Sequence, residues 1–518
     1  MTRYRHLITD DNRKWWTLGA MCFALFMIML DNTVVNVALP SIQRDLNASI
    51  SGLEWTINGY TLSFAVLLAT GGRLGDIFGR RRMFLAGVVI FALSSATAGF
   101  AQGPTDLVLS RVVQGVGAAL MMPGTLSIIT DAFPAHERGK AMGTWAGVSA
   151  LALAVGPVLG GFLTEHVSWR AIFYLNIPVA IGAVTATLFA VRESRDTSVG
   201  REVDYLGVAT LTGSLTALVL ALVEGNAWGW TSPAIVGLLA GSVLGAIAFV
   251  AVENRVKAPM VEFRFFSDRN FLGAVVVALI ITFAMMGVFF FLALYMQDIL
   301  RYSPLEAGVR FLPSTLMIVG VAPVAGRLAD RFGPRWLIVA GLSILTLSLW
   351  TFTHIAVDSG YLDLLPGFML LGIGIALTMS PMTSAAMNAV SVQKAGVASG
   401  VLSMFRMVGG SLGVAVTGAI FQASVSGGTF ETANPQQFVE GLSNAMWVSA
   451  AVTVLGALIA AVAITVRPKS VGAEVAEAEA SPGGEQLAGS LALTKRRKSL
   501  ERVEVEVGER FDLHPAED

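Results

Sequence analysis

Residues 72–79 read Gly-Arg-Leu-Gly-Asp-Ile-Phe-Gly, and residues 326–333, 254 positions later, read Gly-Arg-Leu-Ala-Asp-Arg-Phe-Gly. Each stretch directly follows an apolar run of about 20 residues, the length that crosses the hydrocarbon of a bilayer. Further along the chain the glycines repeat in nearly the same register. For example, Gly115 matches Gly372 at a spacing of 257. An ordered series of matches at nearly one spacing indicates an internal duplication of membrane-spanning helices.

Composition places the whole chain in the membrane class. Of its 518 residues, 54% are hydrophobic and only 14% are charged, and the mean hydropathy is +0.67, whereas soluble domains carry about 25% charged residues. We therefore predict an all-α integral membrane protein with fourteen transmembrane helices. The predicted spans are 15–39, 51–71, 83–102, 105–130, 141–163, 171–191, 204–224, 232–252, 271–297, 306–325, 336–355, 362–388, 396–421 and 441–466.

The duplication pairs predicted spans 2–5 with spans 10–13, which predicts two pseudo-symmetric six-helix bundles at residues 15–192 and 271–466. A two-helix insertion at 204–252 separates these halves. Residues 1–14 precede the first span, and residues 467–518 are predicted to form a disordered tail because they are rich in Glu and poor in apolar residues. Both copies of the loop have the same topology, which suits alternating access around a site near the membrane midplane.

The distribution of Lys and Arg predicts the orientation in the membrane. On the side of the N-terminus we count 23 of the 35 basic residues, and the opposite side has four. Basic loops are retained in the cytoplasm. The count therefore predicts that both termini are cytoplasmic, in the inner membrane of a bacterium.

Two opposite charges lie inside predicted spans 1 and 4. Asp31 lies nine residues before Pro40, and Arg111 lies seven residues after Pro104, which gives depths of about 13 and 10 Å. A charge at such depth costs at least ~2.5–3.5 kcal/mol and usually faces a bundle interior. We predict that the two are coupled, directly or through Gln114 or water; the alternative is a static structural ion pair.

Four motifs together resemble those of the major facilitator superfamily, specifically its fourteen-helix drug/proton antiporter branch. Residues 72–81 are similar to its cytoplasmic gating loop, residues 107–119 to its proton-transfer motif, and residues 152–161 to its antiporter signature. Residues 30–40, Leu-Asp-Asn-Thr-Val-Val-Asn-Val-Ala-Leu-Pro, are similar to the helix 1 motif typical of this branch. The family often has Arg where this chain has Ile77.

The resemblance implies roles for particular residues. It implies proton coupling by Asp31, Arg111 and Gln114. It implies gating by the two loop copies and by span 5. The alternative for the loops is that they are only basic loops on the cytoplasmic side, and the alternative for span 5 is that its small residues only pack helices together. The implied gating residues are Gly72, Asp76, Gly79, Arg80, Arg81, Gly326, Asp330, Arg331, Gly333, Gly156, Pro157, Gly160 and Gly161.

A further set of residues is predicted to line a substrate cavity. Arg406 lies about 16 Å into predicted span 13, in a cavity or between the halves; the alternative is a packing Arg satisfied by carbonyls. Glu224 either belongs to the belt of residues at the membrane interface or lies at a cavity mouth that attracts cations. Met379 and Met382 either form an adaptable wall of the substrate cavity or face the protein core and the lipid. The full predicted set is Asn32, Asn36, Arg406, Met379, Met382 and Glu224.

Several function classes find no support in the sequence. It contains no P-loop and no H-E-x-x-H or nucleophile-elbow motif, so neither ATP-driven transport nor an enzyme is predicted, and no metal site or nucleic-acid partner. The resemblance implies an exporter of lipophilic, mostly cationic small molecules that is driven by the proton gradient without a cofactor. We expect a monomer whose partners are its small-molecule substrate and membrane lipid. The alternatives are an exporter of an endogenous lipid or secondary metabolite, and a non-transporting membrane sensor.

Overall fold

The computed structural model describes residues 9, 12–134, 137–195, 204–256, 259, 261, 263–390, 395–424 and 434–465. The tail predicted at 467–518 and most of the N-terminal segment lie outside these residues. The described residues form fourteen helices that are long and apolar enough to cross a membrane, and no strand. The predicted fold class is confirmed.

The helices are numbered α1–α14 in chain order. α6 is broken at Leu175, α10 is broken at Phe311, and α9 ends in a wider π turn at Tyr295–Ile299. Their bounds are α1 Arg13–Leu46, α2 Ile50–Phe78, α3 Arg80–Gly99, α4 Pro104–Ala132, α5 Arg138–His166, α6 Ala171–Tyr174 with Asn176–Ala190, α7 Tyr205–Trp228, α8 Pro233–Glu253, α9 Arg269–Leu294, α10 Pro304–Arg310 with Leu312–Phe332, α11 Pro334–Phe352, α12 Tyr361–Asn388, α13 Ala395–Ser424 and α14 Pro435–Ala463.

Several helices begin at residues that satisfy their first backbone N–H groups or lack one. The Ser49 hydroxyl accepts from the Gly52 N–H at the start of α2, and the Asp268 carboxylate accepts from two N–H groups at the start of α9. Proline, which has no N–H to satisfy, opens α4, α8, α10, α11 and α14. The first residues of these helices are therefore determined by the local sequence.

Glycine contacts repeat in the two six-helix halves. A Cβ at Gly117 of α4 would lie 2.9 Å from the Gly87 carbonyl of α3. A Cβ at Gly374 of α12 would lie 2.9 Å from the Gly341 carbonyl of α11. Small residues let the two backbones approach closely at these crossings. The packing thus repeats as the sequence register predicts.

The inserted helix α7 packs against α8 and against both halves. The Ser214 hydroxyl of α7 donates to the Ser242 carbonyl of α8 over 2.8 Å. α7 also contacts α2 of the first half and α13 of the second, where Asn226 Nδ2 donates to the Ala419 carbonyl. The outer face of α8 exposes apolar side chains such as Leu244, as expected of a helix that faces lipid.

The two halves meet near one end of the bundle, the end that carries the α1–α2 and α9–α10 loops and that we call the closed end. Gln297 Nε2 donates to the Val37 carbonyl over 2.8 Å, and the Leu305 N–H donates to the Glu165 carboxylate over 3.0 Å. At the other, basic end, which carries the α2–α3 and α10–α11 loops, Gly143 of α5 has open space where a Cβ would stand. Among the described residues, every hydrogen bond between the halves lies between the middle of the bundle and the closed end.

Candidate functional site

The structure brings Asp31, Arg111 and Gln114 into one hydrogen-bonded network. Asp31 lies on α1, and Arg111 and Gln114 lie one turn apart on α4. Arg111 Nη1 lies 2.5 Å from Asp31 Oδ2 and 2.6 Å from Gln114 Oε1. Gln114 Nε2 donates to the other carboxylate oxygen, Asp31 Oδ1, over 3.0 Å. The two charges therefore form a direct ion pair, and Gln114 bridges both partners.

Polar groups from three further helices complete this network. Gln114 Nε2 also donates to Ser95 Oγ of α3 over 2.9 Å, and Asn176 Nδ2 of α6 donates to the same hydroxyl over 2.8 Å. Arg111 Nε donates to the Thr56 carbonyl of α2 over 3.1 Å. Sequence reasoning missed Ser95 and Asn176, because isolated Ser and Asn residues in an apolar helix more often bond to their own backbone.

The network is buried within the first half. The side chains of Asp31 and Arg111 are only 1% and 2% exposed, and the guanidinium stacks over the Tyr60 ring, with its carbon 4.3 Å from the ring centre. Good hydrogen-bond geometry offsets part of the cost of burying two charges. Within the buried network, Arg111 is the cation that balances the charge of Asp31.

The asparagines predicted to line the cavity bond mainly to their own helix. Asn32 Nδ2 donates to the Ile28 carbonyl over 2.8 Å, and Asn36 Nδ2 donates to the Asn32 carbonyl over 3.1 Å. Asn36 Oδ1 is buried and has no partner among the described residues. Asn32 is half-buried. A role of either amide in a substrate cavity stays a prediction.

Arg406 and the two methionines lie in the second half. Arg406 Nη2 donates to Thr383 Oγ1 of α12 over 3.2 Å, and Arg406 Nε is buried without a partner among the described residues. The guanidinium is therefore bonded within its own half, and in the described part of the chain no hydrogen bond or ion pair joins it to Asp31 or Arg111. Met379 is half-buried, whereas Met382 is fully buried. Met382 thus lines no open space in this conformation, in agreement with the core alternative.

Glu224 lines a pocket of about 780 Å³ at the closed end, between the inserted α7 and the first half. Its Oε1 accepts from Trp55 Nε1 of α2 over 3.2 Å. Gln422 of α13 lines the same pocket. Glu224 therefore lies in a lateral pocket beside an indole, away from Arg406.

The first copy of the repeated loop holds three helix ends together at the basic end. Arg80 donates to Asp76 of α2 over 3.0 Å and to Asp131 of α4 over 2.6 Å. The Arg81 N–H donates to Glu193 over 3.1 Å. Gly79 has φ +113, a backbone conformation that favours glycine. The Arg residues thus bind carboxylates at the ends of α4 and α6, which sequence reasoning did not identify.

The second copy keeps the backbone of the first. Gly333 has φ +83 and ends α10, as Gly79 ends α2. The exposed Arg331 guanidinium lies over the Phe332 ring, 5.3 Å from its centre. The side chain of Asp330 lies outside the described part of the chain. A Cβ at Gly326 would stand 3.2 Å from Ser380 of α12, and one at Gly72 would stand 3.3 Å from Pro123 of α4.

The glycine motif of α5 packs on two different helices. Side chains at Gly156 and Gly160 would overlap Thr33 and Val34 of α1. On its other face, a side chain at Gly161 would overlap the start of α10, and the Pro157 carbonyl touches Gly308 of α10. One face of the motif is thus a seam within the first half, and the other is a contact between the halves.

Comparison with known proteins agrees with this architecture. The model of the family described as Major Facilitator Superfamily matches residues 21–414. The puromycin resistance protein pur8 of Streptomyces alboniger is 39% identical over 472 residues, which is 89% of this chain and 93% of that protein. The tetracenomycin C resistance and export protein of Streptomyces glaucescens is 37% identical, over 80% of this chain and 77% of that protein.

Solved structures show the same fold at low sequence identity. The D-xylose-proton symporter has a TM-score of 0.62 at 14% identity, over 87% of this chain and 98% of that chain. A bacterial homolog of the human lysosomal transporter Spinster, inward-facing and unoccupied, has a TM-score of 0.60 at 18% identity, over 87% and 97%. With fourteen candidate spans in duplicated halves and a family model that matches most of its length, the chain belongs to the Major Facilitator Superfamily and is a multi-pass transporter of small molecules, not an enzyme.

Proposed function

We propose that this transporter exports lipophilic, mostly cationic drugs or antibiotics across the bacterial inner membrane in exchange for protons. The observation that carries the proposal is the buried network of Asp31, Arg111 and Gln114. An intramembrane acid with a single cationic partner is the type of group that proton-coupled transport requires. The similarity to proteins named for resistance to or export of puromycin and tetracenomycin C supports the substrate class.

Proton binding at Asp31 has a direct route to the contacts between the halves. Asp31 shares α1 with Thr33 and Val34, which pack against the glycine motif of α5. The Val37 carbonyl of α1, about 9 Å along the helix from Asp31, accepts from Gln297 of the other half. Protonation removes the charge that holds Arg111, so that α1 can shift relative to α4 and carry both contacts with it.

The test is transport in proteoliposomes with and without a pH gradient, with ethidium as the probe. We expect Asp31→Asn to abolish accumulation driven by the gradient while exchange of ethidium across the membrane, which needs no net proton movement, continues. Asp358→Asn, which neutralises an exposed loop carboxylate, is the matched control and should transport like the wild type. Gradient-driven accumulation by Asp31→Asn would refute the proposal.

Export of a single secondary metabolite is the second candidate function. It is favoured by relatives named for a single compound, such as the tetracenomycin C protein and the cephamycin export protein CmcT of Amycolatopsis lactamdurans, which is 35% identical over 80% of this chain. Competition in the same proteoliposomes separates the two. Inhibition of ethidium uptake by chemically unrelated cations supports a multidrug exporter, and the lack of any inhibition supports a single-compound exporter.

A further inference from the structure

Glu54 is a second buried acid, and the network of Asp31 does not include it. It lies near the start of α2, about 6 Å from the closed end of that helix, and its side chain is fully buried. The carboxylate lies directly on Gly418 of α13, where a Cβ would overlap it. Glu54 therefore belongs to the first half but is buried by the second.

The polar contacts of Glu54 are incomplete. Gln422 Nε2 of α13 donates to Glu54 Oε1 over 2.9 Å, and Oε2 has no hydrogen-bond partner among the described residues. No ion pair to Glu54 occurs in the described part of the chain. Burial of an ionised carboxylate with a free oxygen and no cation is strongly unfavourable, and such a group becomes neutral instead.

The charged groups around Glu54 favour the neutral form as well. On α7 the single charged residue is Glu224, another acid, whose carboxylate is held by Trp55 beside Glu54. On α13 the single charged residue is Arg406, which lies about 18 Å along the helix from Gly418. On α4 the nearest cation is Arg111, which is bound by Asp31 and Gln114.

The burial of Glu54 depends on the contact between the halves. Four residues along α2, Asn58 Oδ1 accepts from Ser411 Oγ of α13 over 2.9 Å, so that this face of α2 is sealed by α13 from the middle of the bundle to the closed end. Separation of α2 from α13 in alternating access would admit water to the carboxyl group. Water stabilises the ionised form, so the O–H bond then breaks and the proton passes to water.

We propose that Glu54 is a second proton-binding site, which holds its proton while the closed end is shut and exchanges it with water on that side of the membrane when α2 and α13 separate. The site rests on the alternating-access part of the proposed function and is independent of the role of Asp31. Its consequence is that acid on the closed-end side stabilises closure. A single coupled proton changes the ratio of open to closed molecules by up to about tenfold per pH unit.

The test measures the distance across the closed end at different pH values. The protein has a single cysteine, the buried Cys22, so a Cys22→Ala background allows spin labels at Gln102→Cys and Asp358→Cys, one on each half at this end. We expect the distance in the wild-type background to lengthen as the pH rises. Glu54→Gln, the isosteric mimic of the neutral acid, and Glu54→Leu should keep the short distance at every pH.

Two further variants make the result decisive. Glu224→Gln removes the neighbouring negative charge, and we expect the same transition to occur at more acidic pH. Asp31→Asn should retain the transition. The inference is wrong if the distance between the labels in Glu54→Gln lengthens with pH as it does in the wild-type background. It is also wrong if the distance in the wild-type background does not depend on pH. Loss of gradient-driven transport in Asp31→Asn would in either case leave the proposed function standing.

Discussion

The two halves share their packing but differ in the chemistry of their cores. In the register that matches Gly115 to Gly372, Arg111 and Gln114 of α4 stand where α12 has Phe368 and Leu371. Phe368 lies in an aromatic cluster, with ring centres 5.2 Å from that of Phe311 and 5.5 Å from that of Phe352. One copy of the duplicated unit thus buries an ion pair, and the other buries an aromatic and an aliphatic side chain at the same place.

This difference shows what each half can contribute to transport. The glycines that bring α3 to α4 and α11 to α12 are the same in both halves, because they fix the helix crossings. The residues between those crossings are free to differ. Among the described residues, only the first half contains a buried acid in contact with a buried cation, so the proton exchange that we propose takes place in the first half.

Arg111→Leu should have the largest effect, because it gives the first half the apolar character of the second while leaving Asp31 buried and unpaired. Loss of one partner from a buried pair costs about 3–5 kcal/mol. We expect a large fall in melting temperature in detergent and no gradient-driven transport. The double variant Asp31→Leu/Arg111→Leu should recover much of the stability without recovering transport. A single variant as stable as the double would contradict the buried ion pair.

The paired glycines of α4 and α12 allow a matched comparison. A methyl group at Gly115 would overlap the Tyr60 carbonyl, and one at Gly372 would overlap the carbonyl of Ser314, the repeat partner of Tyr60. Overpacking of this kind costs about 1–3 kcal/mol, so Gly115→Ala and Gly372→Ala should lower the melting temperature similarly.

Only Gly115→Ala should also weaken gradient-driven transport per folded molecule, because it displaces Tyr60 beneath the Arg111 guanidinium. The measurement is gradient-driven transport divided by the amount of folded protein, which is taken from the monodisperse peak in size-exclusion chromatography. An equal loss of coupling in Gly372→Ala would show that the second half takes part in proton chemistry.

Ser95→Ala should have a smaller effect. It removes the hydroxyl that accepts from both Gln114 and Asn176, and loss of such contacts costs about 0.5–1.5 kcal/mol each. We expect a moderate fall in proton-driven ethidium transport. Ser348→Ala is the control in the other half, where the hydroxyl donates to the Gly367 carbonyl; it should lower stability to a similar degree and leave the pH profile of transport unchanged. Coincident pH profiles for the two variants would exclude a role for Ser95.

Arg80→Gln should have the smallest effect, although it removes bonds to both Asp76 and Asp131. These carboxylates are partly exposed, and such pairs contribute roughly 0–1 kcal/mol that salt screens. The second copy of the loop has Pro334 at this position, so the fold does not require a cation there. We expect a small fall in melting temperature that disappears in high salt, and a salt-independent fall would contradict this account.

The number of helices and the duplication could be predicted from the sequence, because apolar runs and glycine register survive in one dimension. Helix ends could not. α1 continues to Leu46, beyond the predicted span 15–39, because hydropathy marks the hydrocarbon crossing and a helix continues into the interface past it.

The core of the candidate site could be predicted for a similar reason. Asp31 and Arg111 are visible as charges in apolar runs, and helix rise gives their depth. Rotation about the helix axis is not visible in a single sequence. Ser95 and Asn176 therefore could not be assigned to the network, and Glu54, in the first turns of its helix, could not be told from an ordinary interfacial acid until α13 was seen to cover it.

The proposed transport cycle requires that Asp31 exchange a proton as substrate binds. The most direct measurement is the pH of a weakly buffered detergent solution of the purified transporter when ethidium is added, followed with an indicator dye. We expect the wild type to release protons in proportion to the ethidium bound, and Asp31→Asn to bind ethidium and release none. Equal proton release by the two proteins would contradict it.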